Sequence, residues 1–162
     1  MDKKLKIISG AQTGVDRAAL DAALESNVPC GGWCPAGRRA EDGVIPARYP
    51  VEELEGSAYR QRTRKNVQDS DGTVMIYFAQ LSGGTEQTLR FCLSEHKPYL
   101  LIDGQEVRPE RAAERIHEFL RTLNGKAFNV AGPRASGDSR AYEYAHMTIK
   151  QLIHLWRTEH SA

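Results

Sequence analysis

Ser9-Gly10-Ala11-Gln12-Thr13-Gly14, running directly into Val15-Asp16-Arg17-Ala18-Ala19-Leu20-Asp21-Ala22-Ala23-Leu24, is the stretch that decides the fold. Ahead of it, Lys4 to Ser9 carries Leu5, Ile7 and Ile8 and reads as a short buried strand. Behind it, the alanine-rich spacing reads as a helix to Ser26, ended by Asn27-Val28-Pro29. A strand that enters a helix through a glycine turn begins a crossover unit rather than a hairpin. The pattern recurs. Thr73 to Phe78 is an apolar, β-rich run, and Ser82-Gly83-Gly84-Thr85 then opens a helix over 84–95. Tyr99 to Ile102 reads as a strand, and 108–123 as a helix with Pro109 in its first turn. Its Ile116, Phe119, Leu120 and Leu123 fall on one side. Phe128 to Ala131 is the last strand, and 140–160 a long terminal helix. Cys30 to Cys34 supplies a second strand, and 59–68 a helix with a basic face. Strands and helices that alternate in this way predict an α/β fold, with a mainly parallel sheet of five to six strands and helices on both faces. A single domain over 1–162 is expected, without internal repeats or low-complexity segments.

Composition narrows the function classes. Hydrophobic residues at 40% and charged residues at 27% suit a globular chain with a sizeable core. A net charge of +1 leaves no global basic field for nucleic acid or an anionic membrane. Met1-Asp2-Lys3-Lys4-Leu5 lacks a signal-peptide core, and no apolar run reaches transmembrane length. A cytoplasmic protein with no membrane partner is expected. Cys30, Cys34 and Cys92 make an odd count, which argues against a disulfide framework. Cys92 and His96 could share a helix face, but Cys92 sits with Leu89 and Leu93 and reads as core. No four-ligand zinc set emerges, so no metal site is assigned.

Ligands of parallel α/β sheets bind beyond the carboxyl ends of the strands, where strand order reverses. Both glycine turns, the long loop 35–56 and Gly132-Pro133-Arg134-Ala135-Ser136-Gly137 all follow strand ends. Topology therefore gathers them on one rim. A glycine turn opening a helix brings backbone N–H groups and the positive end of the helix dipole to an anion. The candidate ligand-binding residues are Gly10, Gln12, Thr13 and Gly14 on the first turn, and Gly83, Gly84 and Thr85 on the second. Glu86 either favours its helix start or bonds a ribose or pterin. Arg38 and Arg39 on the overhanging loop, and Arg134 after the Gly-Pro turn, are candidate phosphate clamps. Arg62, Arg64 and Lys65 add a basic face, and Asp16 either faces a ligand or caps its helix, with the cap the favoured reading. His96, His117, His146, His154 and His160 fall on predicted helices away from the rim. No nucleophile–base set forms, and no catalytic residue is assigned.

These blocks carry a family resemblance. Residues 9–21, Gly32-Trp33-Cys34-Pro35-Ala36-Gly37-Arg38-Arg39-Ala40-Glu41-Asp42-Gly43, Arg62-Thr63-Arg64-Lys65-Asn66-Val67 and Asn129-Val130-Ala131-Gly132-Pro133-Arg134 resemble the molybdenum carrier family. That family is related to the lysine-decarboxylase-like LOG group. The resemblance implies a Rossmann-like fold, a homo-oligomer such as a tetramer, and binding of molybdenum cofactor or its phosphorylated pterin. Two departures stand out. Ala11 replaces a second glycine of the opening motif. The LOG segment P-G-G-x-G-T-x-x-E places glutamate where this chain has Thr88. The resulting expectation is a carrier that holds a phosphorylated pterin or nucleotide without turnover. The alternatives are a nucleoside-monophosphate phosphoribohydrolase-like enzyme, with Glu86 or Asp71 as its acid, and a nucleotide sensor.

Overall fold

The computed structural model describes residues 4–56 and 59–161. The chain forms β1 (Lys6–Ile8), α1 (Val15–Glu25), β2 (Cys30–Gly31), β3 (Trp33–Pro35), β4 (Arg39–Ala40), β5 (Gly43–Val44) and β6 (Glu52–Leu54). There follow α2 (Tyr59–Gln68), β7 (Gly72–Tyr77), α3 (Gly83–Ser94), β8 (Tyr99–Asp103), α4 (Pro109–Arg121), β9 (Ala127–Ala131) and α5 (Ala141–His160). Five strands build the main sheet in the order β2-β1-β9-β7-β8. All of their pairings are parallel. This is the predicted α/β, Rossmann-like arrangement.

Strand alternation sorts the core. Val74 and Ile76 face one side of β7 and pack with Ile7, Ile102, Phe128 and Val130 under α1, α4 and α5. Met75 faces the other side and packs with Val67, Phe91 and Cys92 under α2 and α3. A period of two on a strand buried on both faces gives the near-continuous apolar run that made β7 legible. Ile76 and Phe128 are fully enclosed, and truncating either to alanine would destabilise the fold by about 2–5 kcal/mol. Cys92 is a buried core residue, but Leu93, assigned to the same apolar face, is exposed. Cys30, Cys34 and Cys92 are free thiols, each with its pKa pushed up chiefly by burial.

Three readings change. The strand expected over 30–34 breaks at Gly32, whose φ is +138°. A Cβ there would lie 2.1 Å from the Ser9 carbonyl oxygen. The chain turns at this contact, so β2 pairs with β1 while β3 pairs with β6 in a separate small sheet. The loop after β3 is also not structureless. It holds the β4–β5 hairpin and the strand β6. Beneath it, Ile45, Tyr49 and Val51 form a second core with Ala11, Leu20 and Cys34. Finally, His96 lies in the left-handed turn after α3 rather than within a helix. Among the described residues, no helix is long and apolar enough to cross a membrane.

Candidate functional site

The chain leaves β1 towards β2 on one side and β7 towards β8 on the other, with β9 inserted between them. This reversal opens a crevice at the carboxyl ends of β1, β9 and β7. A cavity of about 590 Å³ occupies it. Its walls come from Gly10, Gln12 and Asp16 after β1, from Ser82 to Thr85 at the start of α3, from 131–134 after β9, and from Arg60 and Arg62 of α2.

The first glycine turn is closed on itself. The Ala11 N–H donates to Ser9 Oγ (3.2 Å), and the Gln12 N–H to Asp16 Oδ2 (3.2 Å). The Val15 N–H donates to the Pro133 carbonyl (3.2 Å), and the Arg17 N–H to the Gln12 carbonyl (3.1 Å). These amides are therefore engaged within the protein and are not directed at an anion. Gly14, at φ +79°, lets the 133–135 segment press against the helix start, since a Cβ would stand 2.3 Å from the Pro133 oxygen. Ala11 adopts φ +61°, a conformation that glycine takes without strain. Asp16 does not cap α1, whose N-terminus has no side-chain cap. Instead its carboxylate faces the cavity and holds the turn through Gln12.

Asp16 shares the cavity wall with Arg62, whose Nη1 lies 3.8 Å from Asp16 Oδ2. Both side chains are nearly buried, at 10% and 13% exposure. Burial pushes the Asp16 pKa up to about 6, against the lowering influence of Arg62, the Gln12 N–H, Arg17 and Arg134. The Arg62 guanidinium crosses directly over Gly10, where a Cβ would meet Nη1 at 1.7 Å. Glycine at position 10 thus admits the arginine.

The second turn has the opposite character. Ser82 is extended and makes no side-chain cap. The Glu86 N–H already reaches the Ser82 carbonyl, so the amides of 83–85 precede the first intrahelical bond. A Cβ on Gly83 or Gly84 would meet no atom within 4 Å. This is an accessible helix N-terminus facing Arg62 and Arg134 across one cavity. Thr85 is buried in its wall, and Thr88 Oγ1 donates back to the Gly84 carbonyl at 2.9 Å.

Gln12 adds a third feature. Its Nε2 donates to the Arg39 carbonyl at 3.0 Å. A carbonyl only accepts, so this contact fixes which way the amide faces. Oε1 is left buried with no hydrogen-bond partner.

Gly10, Gln12, Gly83, Gly84, Thr85 and Arg134 are brought together, and the other sequence candidates serve elsewhere. Arg38 points its guanidinium at the carbonyls of Ile45, Pro46, Tyr49 and Val51 and holds the long loop. Arg39 donates to the Ala36 carbonyl (3.0 Å). Thr13 donates to Glu41 and accepts from the Ala135 N–H (3.1 Å). Glu41 also accepts from the Ser136 amide and hydroxyl, which hold its pKa down. Glu86 pairs with Arg90 (3.1 Å) outside the cavity walls. Asp71 accepts the Ala127 N–H at the opposite end of β7. Of the basic face on α2, Arg64 pairs with Glu95 and Lys65 with Asp69, and Arg62 lines the cavity. Sequence reading missed Arg60 and ranked a helix cap above a ligand-facing role for Asp16, the reverse of what the structure shows. The two-residue step from Arg62 to Arg64 puts the two on opposite sides of a helix, and that was the available signal for Arg62. Among the described residues, no cluster of three His, Cys, Asp or Glu could hold a metal ion.

A family model described as "Circularly permutated YpsA SLOG family" matches residues 7–153. The chain belongs to the circularly permuted YpsA SLOG family. It is also similar to a solved structure from Syntrophus aciditrophicus SB, described as a "Putative molybdenum carrier protein", at 42% identity and a TM-score of 0.89. The alignment covers 93% of this chain and 96% of that one. No curated protein matches the chain by sequence. In this member of the SLOG family, the cavity lies between the turn after β1 and the start of α3.

Proposed function

We propose that this chain is a carrier that binds a phosphorylated small molecule, either molybdenum cofactor or a related pterin or nucleotide, and does not turn it over. The observation that carries this reading is the accessible N-terminus of α3 facing Arg62 and Arg134 across one cavity. Backbone N–H groups of 83–85 and the helix dipole would hold the phosphate, and the arginines would neutralise it. The cavity volume is in the range of small-molecule sites. The backbone amides of 83–85 and the guanidinium groups of Arg62 and Arg134 on the cavity wall suit the phosphate of such a ligand. Among the described residues no side-chain cluster could hold a metal ion, so molybdenum would arrive as cargo already held by its pterin.

Two features favour holding over hydrolysis. The cavity walls contain no histidine, and Glu86 is engaged with Arg90. Thermal shift with molybdenum cofactor and with nucleoside monophosphates tests the reading. A ligand at a hundred times its dissociation constant should stabilise the fold by about 2.7 kcal/mol, and Arg62→Ala should remove most of that shift. Free base should not accumulate from nucleoside monophosphates. Base release that disappears in Asp16→Asn would replace the carrier reading with an enzymatic one. Native mass spectrometry of the purified protein would report retained ligand and whether the chain forms a homo-oligomer.

A further inference from the structure

An anion bound at Arg62 would share its cation with Asp16. Arg62 Nη1 and Asp16 Oδ2 lie 3.8 Å apart in the cavity wall, beyond hydrogen-bond length, and both side chains are nearly buried. They meet over Gly10, where a Cβ would stand 1.7 Å from Nη1 and 3.2 Å from Oδ2. The other charged groups around Asp16 are engaged elsewhere or act on it less. Arg17, on the same helix, donates to both Asp42 oxygens (2.6 and 2.9 Å) and to the Ala11 carbonyl. Arg134, from the segment after β9, lowers the Asp16 pKa less than Arg62 does. Asp138, the second carboxylate of the wall, accepts from Arg140 at 3.0 and 2.8 Å, which holds its pKa down. Arg60 and Tyr77 are the remaining ionisable groups among the described wall residues. Asp16, moved by burial to about 6, is the wall carboxylate that changes charge near neutrality.

We infer that an oxyanion entering the cavity takes Arg62 from Asp16, and that the Asp16 carboxylate accepts a proton from solvent as it does so, which makes ligand binding proton-coupled. The inference rests on the phosphate-binding reading and adds to it control of that site by pH. Like-charge repulsion in a desolvated wall is the physical reason. An anion bonded to the guanidinium weakens the largest charge favouring ionised Asp16 and adds a negative charge within about 10 Å, where solvent screens poorly. Protonated Asp16 keeps an acceptor for the Gln12 N–H, so the turn can hold its shape. The complex then binds more protons than the free chain. Affinity is therefore greatest at low pH, falls as the pH rises above about 6, and levels off once Asp16 is ionised in both states.

Calorimetric titration of the full chain with sodium sulfate from about pH 6 to about pH 8 tests this, because sulfate keeps both charges throughout and any proton taken up belongs to the protein. Affinity should fall about fivefold or more across that range. At about pH 6.5, heats measured in two buffers of different ionisation enthalpy should report uptake of about half a proton per sulfate bound. In Asp16→Asn the affinity should change by less than about twofold over the same range, with uptake near zero. Arg62→Ala should weaken sulfate by about tenfold or more at every pH, which ties the signal to this cavity. Binding that Arg62→Ala removes but pH leaves unchanged would overturn the coupling and leave phosphate binding standing. So would the same pH dependence in the parent and in Asp16→Asn. Binding of inorganic phosphate without sulfate would place the proton on the ligand and overturn its assignment to Asp16. Failure of both anions to bind, or binding that survives Arg62→Ala, would overturn the phosphate reading as well. The pH series and the buffer pair use the unaltered chain, so they decide the coupling even where a variant does not fold.

Discussion

Replacing Asp16 with asparagine keeps the side-chain shape and an oxygen for the Gln12 N–H, and removes the charge from a nearly buried position. Burial is the largest influence on this carboxyl and moves its pKa from 3.8 to about 6 in the folded chain. The folded state therefore holds a proton that the unfolded state has already released between those two values. Stability associated with Asp16 is fully present below about pH 4, falls as the pH rises, and is fully lost above about pH 6. A shift of about two units corresponds to roughly 3 kcal/mol, and the low exposure of the side chain leaves little solvent screening to reduce it. Asp16→Asn should thus be more stable than the parent at pH 8 by roughly 2–3 kcal/mol. That is about 4–12 °C in Tm for a chain of this length. At pH 4 the two should melt within about a degree of each other. Thermal unfolding of both proteins from pH 4 to pH 8 measures the difference, and subtraction cancels the other titrating groups. A variant less stable than the parent at pH 8, or a difference that does not change with pH, would refute the reasoning. Either result would mean that the contacts of the carboxylate with Arg62 and Gln12 outweigh its desolvation. A destabilising charge kept in a cavity wall is what a binding function would select.

Gly84→Ala should separate stability from binding. The methyl group enters open space, and alanine favours a helix over glycine, so Tm should rise by roughly 1–4 °C. The same methyl obstructs the anion approach to α3, so affinity for a phosphorylated ligand should fall about tenfold or more, measured by calorimetry. Gly14→Ala should lower stability by more than about 2 kcal/mol in urea unfolding, because it combines a left-handed φ with a 2.3 Å approach to the Pro133 oxygen. Glu41→Ala should release the 134–138 segment from its anchor on Thr13 and Ser136, seen as faster amide hydrogen exchange there with little change in global stability.

Much of the fold was readable because its signals are local. The apolar run of β7 and the one-sided pattern of α4 each reflect a single element packing against the sheet. The break at Gly32 was not readable, because it is imposed by Ser9, more than twenty residues earlier in the chain. The second core under the 35–56 loop was hidden for a similar reason. Ile45, Tyr49 and Val51 have no period, and their partners Leu20 and Ala11 lie across the turn. Within the site, the glycines of both turns were evident. Their different roles were not, since the hydrogen bonds that close the first turn come from Ser9, Asp16 and Pro133.

The sequence by itself determined the alternation of strands and helices, the parallel sheet and the rim on which the glycine turns lie. These follow from periodicity and turn chemistry, which act over a few residues. Only the tertiary structure decided which turn can face an anion, because that depends on whether its amides already have partners from elsewhere in the chain. It also decided that Arg62 and Asp16 enter the cavity while Arg38 holds a loop. A charged side chain goes where packing leaves it a partner, and no local pattern records that.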